Sequence, residues 1–342
     1  MLKTIYHSIQ SRLVSTLLHK FSLLFTNIYI VLFLTHSSGK KIIYSILTSL
    51  VLAMGVAGIG YLINDLHDLE EDLKQGKSNF FEQAHPWKKI FLFGLFSVFA
   101  IIPWFSLPVD KWTVIIIVLE FILFSVYAIR PIRLKERGIW GVVTDSLYAH
   151  VLPCCLAVYT FSKVDKNLSL KTPLIIVYIL WLLLMGCRNI FNHQIEDYEN
   201  DLQSNTKTIA TQFGREKLSR FILHFLIPSE MLLFTAMLYF LPLPNYFMLF
   251  VYIVYILQYF IRKKKIQTLY RIYIDKNINY TDDIYKFYNN NLLNEFYEIH
   301  MPLVLLIYFS YYQHFFIWIF ILNFIAFYRL YMTFYLKKLE FN

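Results

Sequence analysis

Charged side chains are scarce in this chain of 342 residues, since Asp, Glu, Lys and Arg together make up only 16% of it. An average soluble domain is about 25% charged and about 45–50% apolar. Here 57% of the residues are hydrophobic, and the mean hydropathy is +0.49. The shortage of charge excludes a disordered chain, a coiled coil and most soluble globular folds. It predicts a polytopic helical membrane protein, in which apolar runs of about 20 residues recur.

Cysteine is also rare, and the three cysteines lie in apolar stretches without the spacing of metal ligands. We interpret Cys154, Cys155 and Cys187 as packing residues. The apolar runs are continuous, so a transmembrane barrel of alternating strands is disfavoured. The first run follows a basic amphipathic segment and has no small-residue cleavage site, so we expect no cleavable signal peptide.

Nine apolar runs are candidate membrane spans, at 21–36, 42–63, 88–107, 112–129, 139–161, 171–191, 217–241, 245–261 and 301–335. The last is long enough for one tilted helix with an interfacial turn, or for a broken helix. We therefore expect an all-α bundle that forms a single domain over 1–342. An amphipathic segment at 1–20 precedes the bundle, and a polar cytoplasmic insertion at 262–300 comes before the last helix.

The basic residues indicate the orientation of the chain. With the N-terminus inside, 23 of the 32 Lys and Arg residues fall nearest to inside segments and nine nearest to outside ones. This bias predicts a cytoplasmic N-terminus in the cell (inner) membrane. It also explains the net charge of +9, because the basic residues flank apolar spans, and it disfavours nucleic acid as a partner.

Acidic residues are concentrated in two short segments. Five lie in Asp65–Asp72 and four in Glu196–Asp201. Both segments sit at the ends of predicted spans, and four helices separate them. Because four crossings are an even number, both clusters must face the same side of the membrane. The orientation above places that side in the cytoplasm.

The spacing within both clusters is helical. One set at i, i+3 and i+7 is Asp65, Asp68 and Asp72, with Asn64 beside it, and the other is Gln194, Asp197 and Asp201. Each set lies along one face of a helix, where like charges repel. Mg²⁺ offsets such repulsion, and it is usually shared between carboxylates and substrate phosphates. The alternative is two solvated acidic loops, but positive-inside loops favour basic residues.

A basic strip leaves the same membrane face between the two clusters. Arg130, Arg133 and Lys135 follow the fourth span, and Pro131 ends the helix there. Beside two Mg²⁺-suited clusters, these cations fit a diphosphate that needs charge neutralisation. The alternative is simple anchoring by positive charge on the inside.

Several polar residues lie within or beside spans, where ionisable groups usually face the bundle interior. Asp145 and His150 lie in the fifth span and could bind or deprotonate a ligand, or simply satisfy each other. Asn27 in the first span could likewise bind a ligand or be a polar residue satisfied within the bundle. His193 is either a general base near the acidic cluster or a polar residue at a helix end.

Together these motifs resemble the UbiA-type intramembrane prenyltransferase superfamily, of the 4-hydroxybenzoate polyprenyltransferase kind. The family motif N-D-x-x-D-x-x-x-D is complete from Asn64 to Asp72. The D-x-x-D-x-x-x-D motif with a following K-T pair corresponds to 194–201 and to Lys207-Thr208. The Y-S-x-x-P-x-R-x-K stretch corresponds to Tyr127–Lys135. Two positions depart from the family pattern, because Gln194 replaces an acid and Ala128 replaces a serine.

The resemblance implies nine helices around a central cavity and a cytoplasmic site in which two Mg²⁺ ions bridge an isoprenyl diphosphate. It implies catalytic and metal-binding roles for Asp65, Asp68, Asp197 and Asp201, with Asp72 as a further metal ligand. The implied diphosphate-binding residues are Asn64, Tyr127, Arg130, Arg133, Lys135 and Lys207. The implied acceptor or carbocation pocket comprises Asn27, Tyr61, Asp145, Tyr148, His150, His193 and Gln194. Aromatic faces stabilise a desolvated cation there.

The leading hypothesis is therefore a transferase of isoprenoid biosynthesis. It would move an isoprenyl group from its diphosphate to a lipophilic, aromatic acceptor. Membrane lipid would surround the protein. A second hypothesis is a terpene cyclase, which ionises the same diphosphate without an acceptor. A third is a cation-binding transporter, which the membrane-edge position of the motifs disfavours, since transporter sites lie near the bilayer midplane.

Overall fold

All regular structure in the described part of the chain is helical. The computed structural model describes residues 15–74, 76, 79–165, 168–203, 206–241, 245–274 and 293–328. The main helices are α1 Ser15–Leu34, α2 Gly39–Lys74, α3 Pro86–Ile101, α4 Lys111–Ala128, α5 Ile139–Phe161, α6 Thr172–Glu196, α7 Arg215–Phe240, α8 Asn245–Ile274, α9 Met301–Tyr312 and α10 Phe316–Ala326. The predicted all-α membrane-protein fold is confirmed.

Six helices within these ranges are long and apolar enough to cross a membrane, namely Gly39–Glu70, Pro86–Phe105, Lys111–Ala128, Ile139–Phe161, Thr172–Glu196 and Arg215–Phe240. The other three predicted spans coincide with shorter apolar helices, Phe21–Leu34, Tyr246–Gln258 and Phe316–Ala326. The count of nine crossings and the side of the N-terminus therefore stay predictions. The segment predicted as 301–335 is a broken helix, because Gln313 is extended between α9 and α10, and 329–335 lie outside the described residues.

Helix α2 positions the first acidic motif. Its 36 residues extend about 54 Å, well beyond a hydrocarbon core of about 30 Å. Asp65, Asp68 and Asp72 therefore lie on the last turns of a continuous helix, as their spacing predicts. Along its apolar part α2 packs closely on α3, where a Cβ at Gly55 would lie only 2.3 Å from the backbone nitrogen of Ala100. Small residues allow such close helix contacts in membranes.

Helix α5 is irregular where it reaches the site. Leu147–Val151 form a π-helical segment, and Pro153 follows it in the first turn of the next α-helical segment. A π segment widens one turn of the helix and is frequent at functional sites. It carries Tyr148 and His150, so the wide turn determines where these two side chains face.

The aromatic core joins α6, α7 and the segment before α9. Trp181 is fully buried, and its ring centroid lies 5.1 Å from those of Phe234 and Tyr297. Phe296–His300 form a π-helical segment whose Phe296 and Tyr297 are also fully buried. The predicted polar insertion at 262–300 is therefore too long at its C-terminal end, since 293–300 belong to the core. Residues 275–292 lie outside the described residues.

Candidate active site

A cavity of about 500 Å³ extends through the bundle between α1, α2, α4 and α5. Its size is typical of a small-molecule site. Polar side chains line the end near the acidic motif, and these are Asn64, Asp68, Tyr127 and Lys135. The remaining wall is mainly apolar and aromatic, and it reaches Trp104, Leu107 and Phe161 at the far end. The cavity therefore has a charged mouth and a mainly apolar interior.

The mouth is held together by ion pairs between the first acidic motif and the basic strip. Arg133 Nη2 lies 3.1 Å from Asp68 Oδ1, and Lys135 Nζ binds the same oxygen. Arg133 also donates to the backbone carbonyl of His67 at 3.1 Å and pairs with Glu136. The acidic motif and the basic strip, which the sequence predicts on one side of the membrane, thus contact each other directly across 65 residues of sequence.

Arg133 reaches Asp68 from a strained backbone. Its φ of 38° and ψ of 64° are left-handed, a conformation that costs a residue with a side chain about 1–3 kcal/mol. The guanidinium is nevertheless buried, with only 6% of the side chain exposed. Its ion pairs with Asp68 and Glu136 offset this cost, so the loop after Pro131 is shaped around the contact.

Asn79 stabilises the end of the first motif, and the sequence analysis missed it. Its Nδ2 donates to Asp72 Oδ2 at 2.7 Å and to the backbone carbonyl of Asp65 at 2.9 Å. Its Oδ1 accepts from the backbone N–H of Phe81, as in a helix N-cap. In the sequence, only its position before a short helix, which is typical of an N-cap, could have indicated this role.

The second motif lies at the end of α6, and its helix is interrupted. The helix ends at Glu196, Asp197 has a φ of −87° and a ψ of 5°, and Asp201 belongs to a separate short helix, Tyr198–Gln203. The prediction of one continuous helical face is therefore wrong beyond Glu196. Tyr127 interacts electrostatically with both Asp68 and Asp201, so the two motifs do face one region.

Gln194 has a structural contact. It is buried, and its Oε1 accepts from the backbone N–H of Ile209 at 3.1 Å. The N–H groups at the start of a helix need such acceptors, and Ile209–Phe213 is a short helix. The amide side chain thus ties the loop after the second motif back to α6, and it is not part of the cavity wall.

The carboxylates of the two acidic motifs are suitable ligands for Mg²⁺, although they do not form a complete metal-binding cluster in the described residues. Within the described ranges no group of three His, Cys, Asp or Glu side chains is placed to hold a metal ion. Mg²⁺ is typically held by one or two carboxylates together with substrate phosphates, which does not require such a cage. The oxygens of Asp65, Asp68 and Asp72 on α2, and of Asp197 and Asp201 after α6, have the right chemistry for a shared ion.

Tyr127 and Tyr148 pack against each other between the charged mouth and the apolar wall of the cavity. The ring centroids of Tyr127 and Tyr148 lie 5.1 Å apart, and that of Phe124 is 5.3 Å from Tyr148. Asp145 is hydrogen-bonded to both tyrosine hydroxyls, with Tyr148 Oη at 3.0 Å from its Oδ1. Asp145 therefore orients these rings from behind, while Tyr61 and His150 line the cavity directly.

Other predicted residues lie away from the cavity. His193 has 65% of its side chain exposed and faces Glu196 at 3.8 Å, because the last turn of α6 directs it outward. Asn27 is buried beside Cys154, behind the wall. Arg130 and Lys207 are exposed on the side of the motifs. The placement of His193 and Asn27 corrects their predicted position in the pocket.

Glu120 lines the cavity and was also missed. It is only 8% exposed and lies in the middle of α4. The signal was available, since Glu120 is a single acid inside an apolar span and such residues usually face the bundle interior. The same rule selects Asp145 in the fifth span.

The sequence model of the UbiA prenyltransferase family matches residues 23–279, about three quarters of the chain. The chain belongs to this family. The match includes both acidic motifs and the basic strip, so the resemblance inferred from the motifs is confirmed. None of the curated proteins is similar to this UbiA chain in sequence.

Two solved structures are similar to this UbiA family member in fold. One is a UbiA homolog from Archaeoglobus fulgidus bound to DMAPP and Mg²⁺, with 14% identity and a TM-score of 0.50 over 83% of this chain and 99% of that one. The other is a UbiA homolog from the same organism bound to GPP and Mg²⁺, with equal identity and coverage and a TM-score of 0.49. At this identity the likeness of the first supports the fold alone.

Proposed function

We propose that this protein is a Mg²⁺-dependent intramembrane prenyltransferase. It would transfer an isoprenyl group from an isoprenyl diphosphate to a lipophilic, aromatic acceptor and release diphosphate. One observation carries the proposal, namely the cavity whose mouth holds Asp68 and Lys135 and whose interior is mainly apolar. That shape matches a ligand with a charged head and a hydrocarbon tail, and UbiA family membership supports the same class of substrate.

The head of the ligand would bind at the mouth. Arg133 and Lys135 now share the Asp68 carboxylate, and both can instead pair with phosphate oxygens. Mg²⁺, which the A. fulgidus homolog binds together with DMAPP, would be held by the two aspartate sets. When bound it neutralises charge on the departing diphosphate. The carboxylate that loses its basic partners gains a cation, so charge stays balanced.

The reacting carbon would lie next to the tyrosines. As the carbon–oxygen bond breaks, its electron pair leaves with the diphosphate and positive charge develops on the allylic carbon. The faces of Tyr127, Tyr148 and Phe124, whose rings cluster on the cavity wall, would stabilise this charge away from water. The acceptor then forms a new bond to that carbon and loses a proton. We assign this proton to the His150 imidazole, which lines the same cavity.

The test is Mg²⁺-dependent diphosphate release by the purified protein in detergent. C10, C15 and C20 isoprenyl diphosphates are supplied with and without phenolic or naphthoate acceptors, and the organic extract is analysed. We expect release only with an acceptor, together with a prenylated product. Release without acceptor, with cyclic products, would identify a terpene cyclase instead. Folded protein that releases no diphosphate under any condition would contradict the proposal.

Matched variants test the metal-binding residues. Asp68→Asn and Asp197→Asn each keep the side-chain shape but remove a charge, and we expect turnover to fall by about 100-fold or more. Glu199→Gln is the control, because Glu199 belongs to the same acidic cluster but is 69% exposed and faces Arg215. Equal losses in all three variants would indicate a general effect of charge and refute the assignment.

A further inference from the structure

Glu120 is a buried acid without a partner in the wall of the substrate cavity. Within the described residues no side chain or backbone group forms a hydrogen bond or ion pair with it, and its carboxyl group is desolvated by burial. Other buried acids are paired, as Glu230 is with Arg188 and Glu295 with His300. A buried polar group without a partner is costly, so Glu120 must be matched by something that enters the cavity.

The residues that follow Glu120 on the cavity wall of α4 offer no polar group to it, since they are Phe121 and Phe124. Pro153 and Cys154 line the same cavity. Deeper in the same cavity, Thr160 is 2% exposed, and its Oγ1 has no hydrogen-bond partner among the described residues. The interior beyond the tyrosines is therefore not uniformly apolar. It contains a carboxyl and a hydroxyl that water can pair with and a hydrocarbon chain cannot.

The distance from the mouth to Glu120 corresponds to a definite chain length. Tyr127 and Glu120 are seven residues apart on α4, which is about 10 Å along the helix. An extended polypeptide advances about 3.5 Å over three chain bonds, so an isoprene unit with four chain bonds extends about 5 Å. Two units starting beside Tyr127 therefore reach Glu120, and a third must pass it.

We propose that Glu120 determines the isoprenyl chain length and makes this site selective for a C10 diphosphate. The inference rests on the proposed function, because it assumes that the diphosphate lies at the mouth and the chain in the cavity. Up to Glu120 the chain meets aromatic and aliphatic walls. A third unit removes water from the carboxyl of Glu120 and offers no hydrogen bond in return, so additional chain length adds little or no affinity.

Binding of thiolodiphosphate analogues, which resist ionisation, tests this directly. We would measure Mg²⁺-dependent dissociation constants of the C10, C15 and C20 analogues by calorimetry in detergent. Wild type, Glu120→Met, Glu120→Leu and Glu120→Gln are compared, and inorganic diphosphate reports the head-group site. Partition of each analogue into detergent is measured without protein and corrected for, so dissociation constants can be compared between chain lengths as well as between variants. Val118→Leu, on the exposed side of α4, is the control.

We expect wild type to bind C15 and C20 no more tightly than C10. Glu120→Met and Glu120→Leu should bind C15 at least about tenfold more tightly, a change of about 1.4 kcal/mol, with C10 and inorganic diphosphate unchanged. Glu120→Gln and Val118→Leu should behave as wild type, because the amide stays polar and Val118 lies outside the cavity.

Two results would overturn the inference while the proposed function stands. One is tighter binding of wild type to C15 and C20 than to C10. The other is an equal gain in Glu120→Gln, because glutamine keeps both the shape and the polarity of the side chain, so desolvation of a polar group could not be the cause. Failure of wild type to bind any isoprenyl analogue would instead refute the proposed function. If the apolar variants do not fold, the wild-type series and Glu120→Gln still decide between these outcomes.

Discussion

At the scale of single residues, Asp68 is the group through which the first acidic motif contacts the basic strip. It accepts from Arg133 and Lys135, and all three belong to the motifs that sequence spacing selected. The carboxylate is thus neutralised before any ligand arrives. A ligand with phosphate oxygens would exchange partners with this cluster rather than bring charge into an empty pocket, which lowers the cost of desolvation on binding.

Arg133 and Lys135 should therefore govern binding of the diphosphate head. We expect Arg133→Ala or Lys135→Ala to raise KM for the isoprenyl diphosphate by about 10- to 100-fold, since a charge-assisted hydrogen bond contributes about 1.5–3 kcal/mol. Steady-state kinetics with varied diphosphate measures this. Arg137→Ala is the control, because Arg137 is exposed on the same loop and, among the described residues, donates to the carbonyl of Pro131 at 3.1 Å rather than to the acidic motif. An unchanged KM would indicate that the basic strip only anchors the chain by positive charge on the cytoplasmic side.

Asp110, at the opposite end of the bundle from the acidic motifs, forms an ion pair that contributes to the stability of the fold. Lys163 lies 2.5 Å from its carboxylate and lowers the pKa of Asp110 well below the ordinary 3.8, helped by the backbone of Thr113 and the hydroxyl of Tyr159. A lowered pKa in the folded state stabilises the fold fully above the unfolded pKa. That contribution is lost as pH falls below it.

Asp110→Asn isolates this contribution, because asparagine still caps α4 but carries no charge. We expect the difference in Tm between wild type and Asp110→Asn to stay constant above about pH 5 and to shrink below about pH 4. Thermal unfolding in detergent across this range measures it. The difference should also shrink in high salt, because the pair is exposed. A difference that grows on acidification would contradict the pairing.

At the scale of elements, a buried polar network connects three helical segments. Arg188 on α6 lies 2.6 Å from Glu230 on α7 through Nε and Oε2, and its Nη2 donates to Asn294 Oδ1 at 2.6 Å. Asn294 donates in turn to Asn189. This network explains why 293–300 belong to the core although they are rich in polar residues.

Breaking one partner of this network should be severe. Glu230→Leu leaves the Arg188 guanidinium buried without its counter-charge, and we expect a loss of about 3–5 kcal/mol of stability. The double variant Arg188→Met with Glu230→Leu should recover most of it. Thermal unfolding measures both, with Glu216→Gln on the exposed start of α7 as control. A single variant as stable as the double would show that the pair is not coupled.

At the scale of the whole molecule, orientation in the membrane decides which side supplies the substrate. The acidic motifs and the basic strip share one end of the bundle. Lys171, at the start of α6, lies at the opposite end of that helix from Asp197. The excess of basic residues on the motif side predicts that this side is cytoplasmic.

Cysteine accessibility tests the orientation. In a background without Cys154, Cys155 and Cys187, single cysteines replace Lys171 and Gln212, which are both exposed. We expect a membrane-impermeant maleimide to label position 171 in intact cells and position 212 only after permeabilisation. The two positions serve as controls for each other, and the reverse pattern would contradict the cytoplasmic site.

The membrane fold and the position of both acidic motifs could be predicted from the sequence. These features depend on composition, on local helical spacing and on the number of membrane crossings. Composition indicates the membrane fold, because charge is excluded from hydrocarbon. Helical spacing placed Asp65, Asp68 and Asp72 on one face. An even number of crossings placed both motifs on one side, and the interaction of Tyr127 with Asp68 and Asp201 agrees.

The rest depended on contacts between distant segments. Gln194 faces Ile209, His193 is exposed and Glu120 lines the cavity because packing sets the rotation of each helix. In a membrane both the lipid-facing and the core-facing sides of a helix are apolar, so the sequence carries no stripe that shows which side faces inward. The sequence alone determined the class, the motifs and their shared side. Only the tertiary structure decided which polar side chains line the cavity, because that depends on helix rotation and on breaks such as those at Asp197 and Leu147–Val151.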